Sequence, residues 1–518
     1  MIQKPKAAGS SGNRSSSETS LASPSGGWNA LNTVASMPPN DAFLLDNLVA
    51  GPNNVYERSG CINWATGLPG PVQSIVPYNS AAKQQLFAIS EGAIYDITAS
   101  GAVGVPVVSG LSFTPWQHVN FGTPGGQFLI IVNGVDSPYI YDGTTWHAIS
   151  NTSTPYAITG VDPKTFVNVQ IFGNTLWFVQ KATLSTWFLP VLQIAGAASQ
   201  IDFTSLFRRG GSLIAMGDWT IDAGFGMFDN AVFITSEGEV AIYHGTDPTN
   251  ANNWALIGLY RIGAPIGYRC MLKYGSDLLI INQDGLMPLS QALLSSRVST
   301  ATSLSNKIQG AISNATSRYG NQFGWQVELL PAQNLLILNV PVSGQLQQYV
   351  MNTLTNSWCR FLGWNAYCFE LFQNNLYFGD NGTVKLAWQG NTDAGTPITC
   401  EVITAFTGLG TPKPKKLKMA RPIFNTDSTS IALAIGASID YDVNSYLYPI
   451  TTTPTSQALW DTALWDNSVW GNAFAVAKDW ETLQGIGRTV ALHMKFSAQG
   501  SSLQWSATDV IFEVGDGL

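Results

Sequence analysis

Hydrophobic residues in this chain come in runs of four to six, broken by Gly, Asn or Asp, and the runs come in pairs. Seven such pairs lie between about Val72 and Trp388: QLFAISEGAIYDI from Gln85, FLIIVNGVDSPYIYDG from Phe128, LWFVQKATLSTWFLPV from Leu176, VFITSEGEVAIYHG from Val232, LLIINQDGLMPLSQ from Leu278, LLILNVPVSGQLQQYVMN from Leu335 and LYFGDNGTVKLAW from Leu376. Each reads as a hairpin. With Leu86, Phe128, Leu176, Val232, Leu278, Leu335 and Leu376 as markers, the gaps are 42, 48, 56, 46, 57 and 41 residues. Antiparallel units repeating at roughly 40 to 50 residues are what β-propeller blades produce, because a lone blade leaves both faces apolar and radial stacking buries them. No WD or kelch consensus accompanies the spacing, and a pair of β-sandwiches is the competing architecture. The fold class is all-β.

The flanks have another texture. Residues 1–27 are Ser- and Gly-rich with almost no large apolar side chain, the composition of a flexible arm. Residues 28–74 read as a docking segment, with a short helix over Asn40 to Leu48 started by Pro39, then a GLPGPV turn. The propeller-like domain spans 75–392. Longer alternating strands fill 393–518 (ITCEVITAF, IALAIGASIDYDV, RTVALHMKFSA, LQWSATDVIFEVG), which reads as a separate sandwich or jelly-roll-like domain.

Composition narrows the function. Only 11% of the 518 residues are Asp, Glu, Lys or Arg, and the net charge is −8, which opposes sequence-independent binding of nucleic acid. The five cysteines, Cys61, Cys270, Cys359, Cys368 and Cys400, are scattered and form no CxxC pair, so they read as reduced core thiols. That places synthesis in a cytoplasm. No stretch has the continuous apolar character of a signal peptide or a bilayer span.

Candidate chemistry is sparse. There is no P-loop, HExxH or GxSxG, and His118, His147, His244 and His493 are far apart, so no enzyme and no cofactor is expected. Asp440, Asp442 and Asn444 resemble the start of a calcium loop but lack its glycine and its late Glu, so an Asx-rich turn is expected. Lys413, Lys415, Lys416 and Lys418 make a basic run that contacts DNA phosphates or an acidic partner ring, or else simply faces water. Trp460, Trp465 and Trp470 recur every five residues, matching neither helix nor strand, and read as an indole loop for sugar stacking, for an interface or for core packing.

A resemblance sharpens this picture. Trp28 and Asn29, Met37 to Pro39, Leu45 to Asn47, Arg58 to Gly60 and Ala65 to Leu68, with the late ALWDTALWDNSVWG and the closing DVIFEVGDGL, resemble the tail hub, nozzle or DNA-stabilisation proteins of short-tailed phages. The resemblance implies a structural virion protein made in the bacterial host cytoplasm. It would form a homo-oligomeric ring, commonly a hexamer, below the portal and adaptor proteins, with tail fibre or needle proteins or a host surface at the tip. Genomic DNA would pass along the ring without specific binding and be held until ejection. Two other classes stay open: a carbohydrate- or receptor-binding β protein, tested by saccharide titration, and a propeller hydrolase, marked by carboxylates or histidines with shifted pKa at the propeller mouth.

Overall fold

The central strands of the hairpins are apolar at successive positions because each face meets a different neighbour. In Gly126–Val132, Phe128, Ile130 and Val132 pack against Val169, Leu176 and Phe178, while Leu129 and Ile131 pack the other way against Val76, Phe87 and Ile89. Thr175–Gln180 does the same, with Leu176 and Phe178 on one side and Trp177 and Val179 on the other. Such a strand belongs to a sheet buried on both faces, which a radial stack provides.

The computed structural model describes residues 16–222, 227–250, 252–294, 303–342, 346–444, 446–453 and 475–515. The chain divides into two compact units, Arg58–Thr396 and a second that joins Met1–Glu57 to Pro397–Leu518.

Among the described residues, seven small, mainly antiparallel sheets form the body of the first unit. Blade 1 holds residues 72–79, Gln84–Ser90 and Ala93–Asp96. Blade 2 holds Gln117–Thr123, Gly126–Val132, Tyr139–Tyr141 and Trp146–Ala148; blade 3 holds Phe166–Phe172, Thr175–Gln180, Ser185–Phe188 and Ser199–Asp202. Blade 4 holds Leu213–Asp222, Met227–Thr235, Glu239–His244 and Ala255–Arg261. Blade 5 has three strands, Met271–Tyr274, Asp277–Asn282 and Gly285–Pro288, after which the chain turns into the helix Leu289–Leu294. Blade 6 holds Gln326–Leu330, Leu335–Val340, Gln347–Asn352 and Ser357–Phe361, and the helix Gln309–Tyr319 precedes it. Blade 7 holds Cys368–Phe372, Asn375–Gly379 and Asn381–Ala387, with residues 61–71 as its fourth strand. The first strand of every blade neighbours that of the next, and blade 7 returns to the strand of blade 1, so the sheets close into a propeller-like ring. Each of the seven predicted hairpins is the second and third strand of one blade.

The ring is closed by one strand. Cys61–Asn79 is 19 residues long, and its first part pairs with Asn381–Ala387 while its second pairs with Gln84–Ser90. The predicted GLPGPV turn is the crossing between those sheets, where the register shifts and Gly67 takes φ +83°. Blade 7 is therefore completed by chain from 300 residues upstream. A buried bidentate pair clasps the same region: Arg58 donates to both oxygens of Asp393, at 2.9 and 2.6 Å, and stacks over Trp364. Trp364 itself donates from Nε1 to Asp393 Oδ1 at 3.0 Å.

The second unit is a sandwich of two largely antiparallel sheets. One contains Leu48–Ala50, Val55–Glu57, Leu503–Val514, Lys415–Thr426 and Ala475–Ala477. The other contains Asp41–Asp46, Cys400–Thr404, Val490–Ser497, Ile431–Ile439 and Tyr448–Thr452. Phe424 of the first meets Phe496 of the second at 5.0 Å between ring centres.

Three expectations about the N-terminal region are corrected. Residues 28–74 are no separate segment: up to Glu57 they supply strands to the sandwich, and from Arg58 they belong to the propeller. Within the predicted arm, Ser16–Ala22 is a strand that pairs along its whole length with the edge of Leu503–Val514, since main-chain hydrogen bonds need no large side chains. The predicted helix over Asn40 to Leu48 is the strand Asp41–Asp46, in which Ala42 and Leu45 are buried and Cys400–Thr404 is the partner. A sheet partner overrides the local start signal of Pro39.

Candidate functional site in the propeller lumen

Where the first strands of the blades converge they enclose a cavity of about 420 Å³ whose lining includes residues from all seven blades. Most side chains of this charge-poor protein that face inward are apolar or amides, which makes the exceptions conspicuous. His118 comes from blade 2, Arg269 from the approach to blade 5, Glu328 from blade 6 and Glu370 from blade 7. Asp218 of blade 4 and Lys273 of blade 5 complete the charged set, paired at 2.9 Å.

Arg269 braces one end. Its Nη2 donates to Gln73 O at 3.1 Å, Ser74 Oγ at 2.7 Å and Trp116 O at 2.9 Å, so blade 5 is tied across the axis to blades 1 and 2. Its Nη1 donates to Gln326 Oε1 at 3.4 Å, and Gln326 in turn donates to Phe369 O at 2.7 Å, linking blades 6 and 7. Phe323, in the loop that follows Gln309–Tyr319, lies 5.7 Å from the guanidinium. Beyond it a second cavity of about 490 Å³ opens, lined by Tyr268, Phe323, Gln117, Asn133 and Lys181 among others.

The enclosure shifts the titration of the groups it holds. Burial pushes the Glu328 carboxyl up to about 7, opposed by hydrogen bonds from the Leu329 backbone and the Gln326 side chain and by the charge of Arg269. Glu370 is raised well above the usual carboxylate range by burial and by the neighbouring Glu328. Burial and Arg269 push the His118 imidazole down to about 4, so it is neutral at pH 7, and its Nε2 lies 3.7 Å from Glu370 Oε1. These groups are surrounded by protein, yet the His118 and Glu370 side chains keep 22% and 18% of their surface open to the lumen. Water there tempers the shifts without changing their direction.

Of the residues singled out in the sequence, His118 lines this cavity, and the other described ones lie elsewhere. Lys415 is buried and donates to Thr411 O, Lys413 O and Arg488 O, and burial lowers its pKa. Lys418 pairs with Glu513 at 3.1 Å, while Lys413 and Lys416 are exposed. Strand alternation in Lys415–Thr426 thus divides the basic run between interior and surface. Asp442 accepts from the backbone N–H of Asn444, the bonding of an Asx turn, whereas Asp440 accepts from the backbone N–H groups of the sequence-distant Arg488 and Thr489. His147, His244 and His493 bond to Asp142, Asn230 and Glu401. All five cysteines are buried thiols outside any disulfide, with Cys61 and Cys270 raised to about 12 by burial. Trp460, Trp465 and Trp470 lie outside the described residues.

Sequence reasoning missed Arg269, Glu328 and Glu370. A signal was present: QVELL and CFELF, the first strands of blades 6 and 7, both carry Glu at the third position of an otherwise apolar strand.

No family model and no curated protein matches the chain. Among solved structures it is similar to BBS1N, determined in complex with ARL6DN, at 8% identity over 65% of this chain and 99% of that one, with a TM-score of 0.38. It is also similar to a putative 6-phosphogluconolactonase from Bacteroides fragilis, at 12% identity over 64% and 89%, with a TM-score of 0.32.

Proposed function

We propose that this protein is a structural component of a short phage tail, a hub or nozzle that assembles as a ring and extends the DNA channel below the portal and adaptor. The observation that carries the reading is where the residues of the resemblance sit. Asn29 donates to Asp41 at 2.7 Å, Asn47 donates to Thr399 O at 2.8 Å, and Arg58 clasps Asp393. They hold strands together and face neither cavity, as expected of a family defined by architecture. The propeller lumen is no path for a duplex, whose major groove alone is about 12 Å wide. It is small and braced by Arg269, so the DNA would run along the axis of the ring, between copies. Exposed Leu256, Ile257 and Leu259 on the outer strand of blade 4 supply apolar surface for contacts within such an assembly.

Light scattering and negative-stain images of the purified protein, alone and with a portal–adaptor complex, test this. Closed rings with a central hole are expected; a monomer that ignores the adaptor overturns it.

One observation favours a second reading. The carboxylates and histidine of the lumen are the feature a propeller hydrolase needs. Turnover of a chromogenic glycoside or lactone, abolished by Glu370→Gln, would establish that reading instead.

A further inference from the structure

We infer that the propeller lumen is a binding site for a small organic cation, an ammonium or guanidinium group held between Glu328 and Glu370. The argument begins with charge. Asp218, Glu328 and Glu370 face the cavity with two permanent cations, Arg269 and Lys273, and a histidine. Lys273 is engaged with Asp218 and Thr220, and Arg269 with three acceptors on blades 1 and 2. Among the described residues, neither Glu328 nor Glu370 has a lysine or arginine nitrogen within ion-pair distance; Glu370 has only the His118 ring at 3.7 Å. Arg269 acts on both carboxyls through its charge without contacting either, and protons stand in for the countercharge it does not supply. A ligand bringing its own positive charge and N–H donors would replace them, and charge-assisted hydrogen bonds are the strong ones.

The shape of the site selects the ligand class. A cavity of about 420 Å³ lies toward the small end of ligand pockets, which run from about 300 to 1,000 Å³. No group of three His, Cys, Asp or Glu side chains among the described residues is arranged to hold a metal ion, and calcium needs about six to eight oxygens. The solvent side is the end marked by Asp218 and Lys273, whose side chains are 24% and 50% exposed, whereas Arg269 braces the other. Asp218 also keeps Oδ1 buried without a hydrogen-bond partner, a free acceptor on the same wall. A monoamine of a few carbons can lay its alkyl part on Ile75, Val119 and Met271 and reach the carboxyl pair with its head.

The test is calorimetry on the full chain at pH 6.5 with n-butylamine, against n-butanol, magnesium and calcium, in two buffers of different ionisation enthalpy. Saturable binding of the amine alone is expected, with release of about one proton per site, because the ligand displaces protons from the pair. Glu328→Gln and Glu370→Gln should each weaken binding at least about tenfold, the loss of one charge-assisted hydrogen bond. Glutamine imitates the protonated carboxyl, so both variants should fold. If either does not, proton release by the unmodified chain decides the matter. Absence of saturable binding, equal binding of n-butanol, binding without proton release, or binding that survives both substitutions overturns the inference.

Discussion

The propeller and the sandwich solve the same problem, burying both faces of β-sheets, with opposite use of chain connectivity. Four propeller blades, the second, third, fourth and sixth, take all four strands from one continuous stretch of chain. The sandwich is assembled from both ends: Ser16–Ala22 pairs with Leu503–Val514, and Asp41–Asp46 pairs with Cys400–Thr404. Local pairing costs little loop-closure entropy and repeats along the sequence, whereas pairing across several hundred residues leaves no periodic trace. Among the described residues the propeller's non-local pairing is the closure by residues 61–71, and there a buried ion pair sits beside the joint.

That contrast predicts where the propeller is weakest. Replacing Arg58 with Ala leaves Asp393 partly buried without its bidentate partner and should destabilise the propeller by about 3–5 kcal/mol, the usual result of removing one member of a buried pair. Hydrogen exchange is the measurement that sharpens the comparison. Blades 1 and 7 should lose protection first, and strands such as Thr175–Gln180, buried in local sheets, last. Uniform loss across all blades would mean that the closure is no more critical than any other joint.

A smaller effect is expected at the sandwich edge. Ser16–Ala22 alternates exposed and half-buried residues and contributes mainly backbone pairing. Deleting residues 1–22 should cost about 1–3 kcal/mol, the worth of a few net hydrogen bonds, and raise exchange along Leu503–Val514 alone. A collapse of the sandwich would show that the strand is integral to it.

What was legible in the sequence follows the same division. All seven central hairpins could be read, because LIIV at 129–132 and LWFV at 176–179 are buried on both faces and are bounded by turn residues a few positions away. Ser16–Ala22 could not, since its pairing depends on an edge nearly 490 residues downstream and its side chains carry no apolar signal. Asp41–Asp46 was misread for a related reason: six residues with a preceding proline satisfy a helix start as well as a strand, and only the partner Cys400–Thr404 decides. The lumen residues were hidden differently. Glu328 and Glu370 are 42 residues apart, and only a ring of blades brings them to one cavity.

The remaining effect, spread over the pH scale, is the one most specific to that cavity. Carboxyls whose folded pKa is raised bind protons in the folded chain that the unfolded chain has already lost. Glu328 and Glu370 therefore contribute stability that is fully present below about pH 4.5 and falls as pH rises, for Glu328 through about 7. His118 works in the other direction: its folded pKa of about 4 lies below the ordinary 6.5, so its contribution grows as pH rises across that interval. Between about pH 4.5 and 6.5 two falling terms oppose one rising term, and each proton is worth at most about 1.4 kcal/mol per pH unit. Relative to the unmodified chain, the double variant Glu328→Gln, Glu370→Gln should therefore become steadily more stable as pH rises over this window. His118→Gln should shift the slope the opposite way by a smaller amount. Chemical denaturation at closely spaced pH values measures both differences. Parallel curves for all three chains would mean that the lumen is wet enough to leave these groups with ordinary titration, and that the sandwich and the propeller differ in connectivity but not in electrostatics.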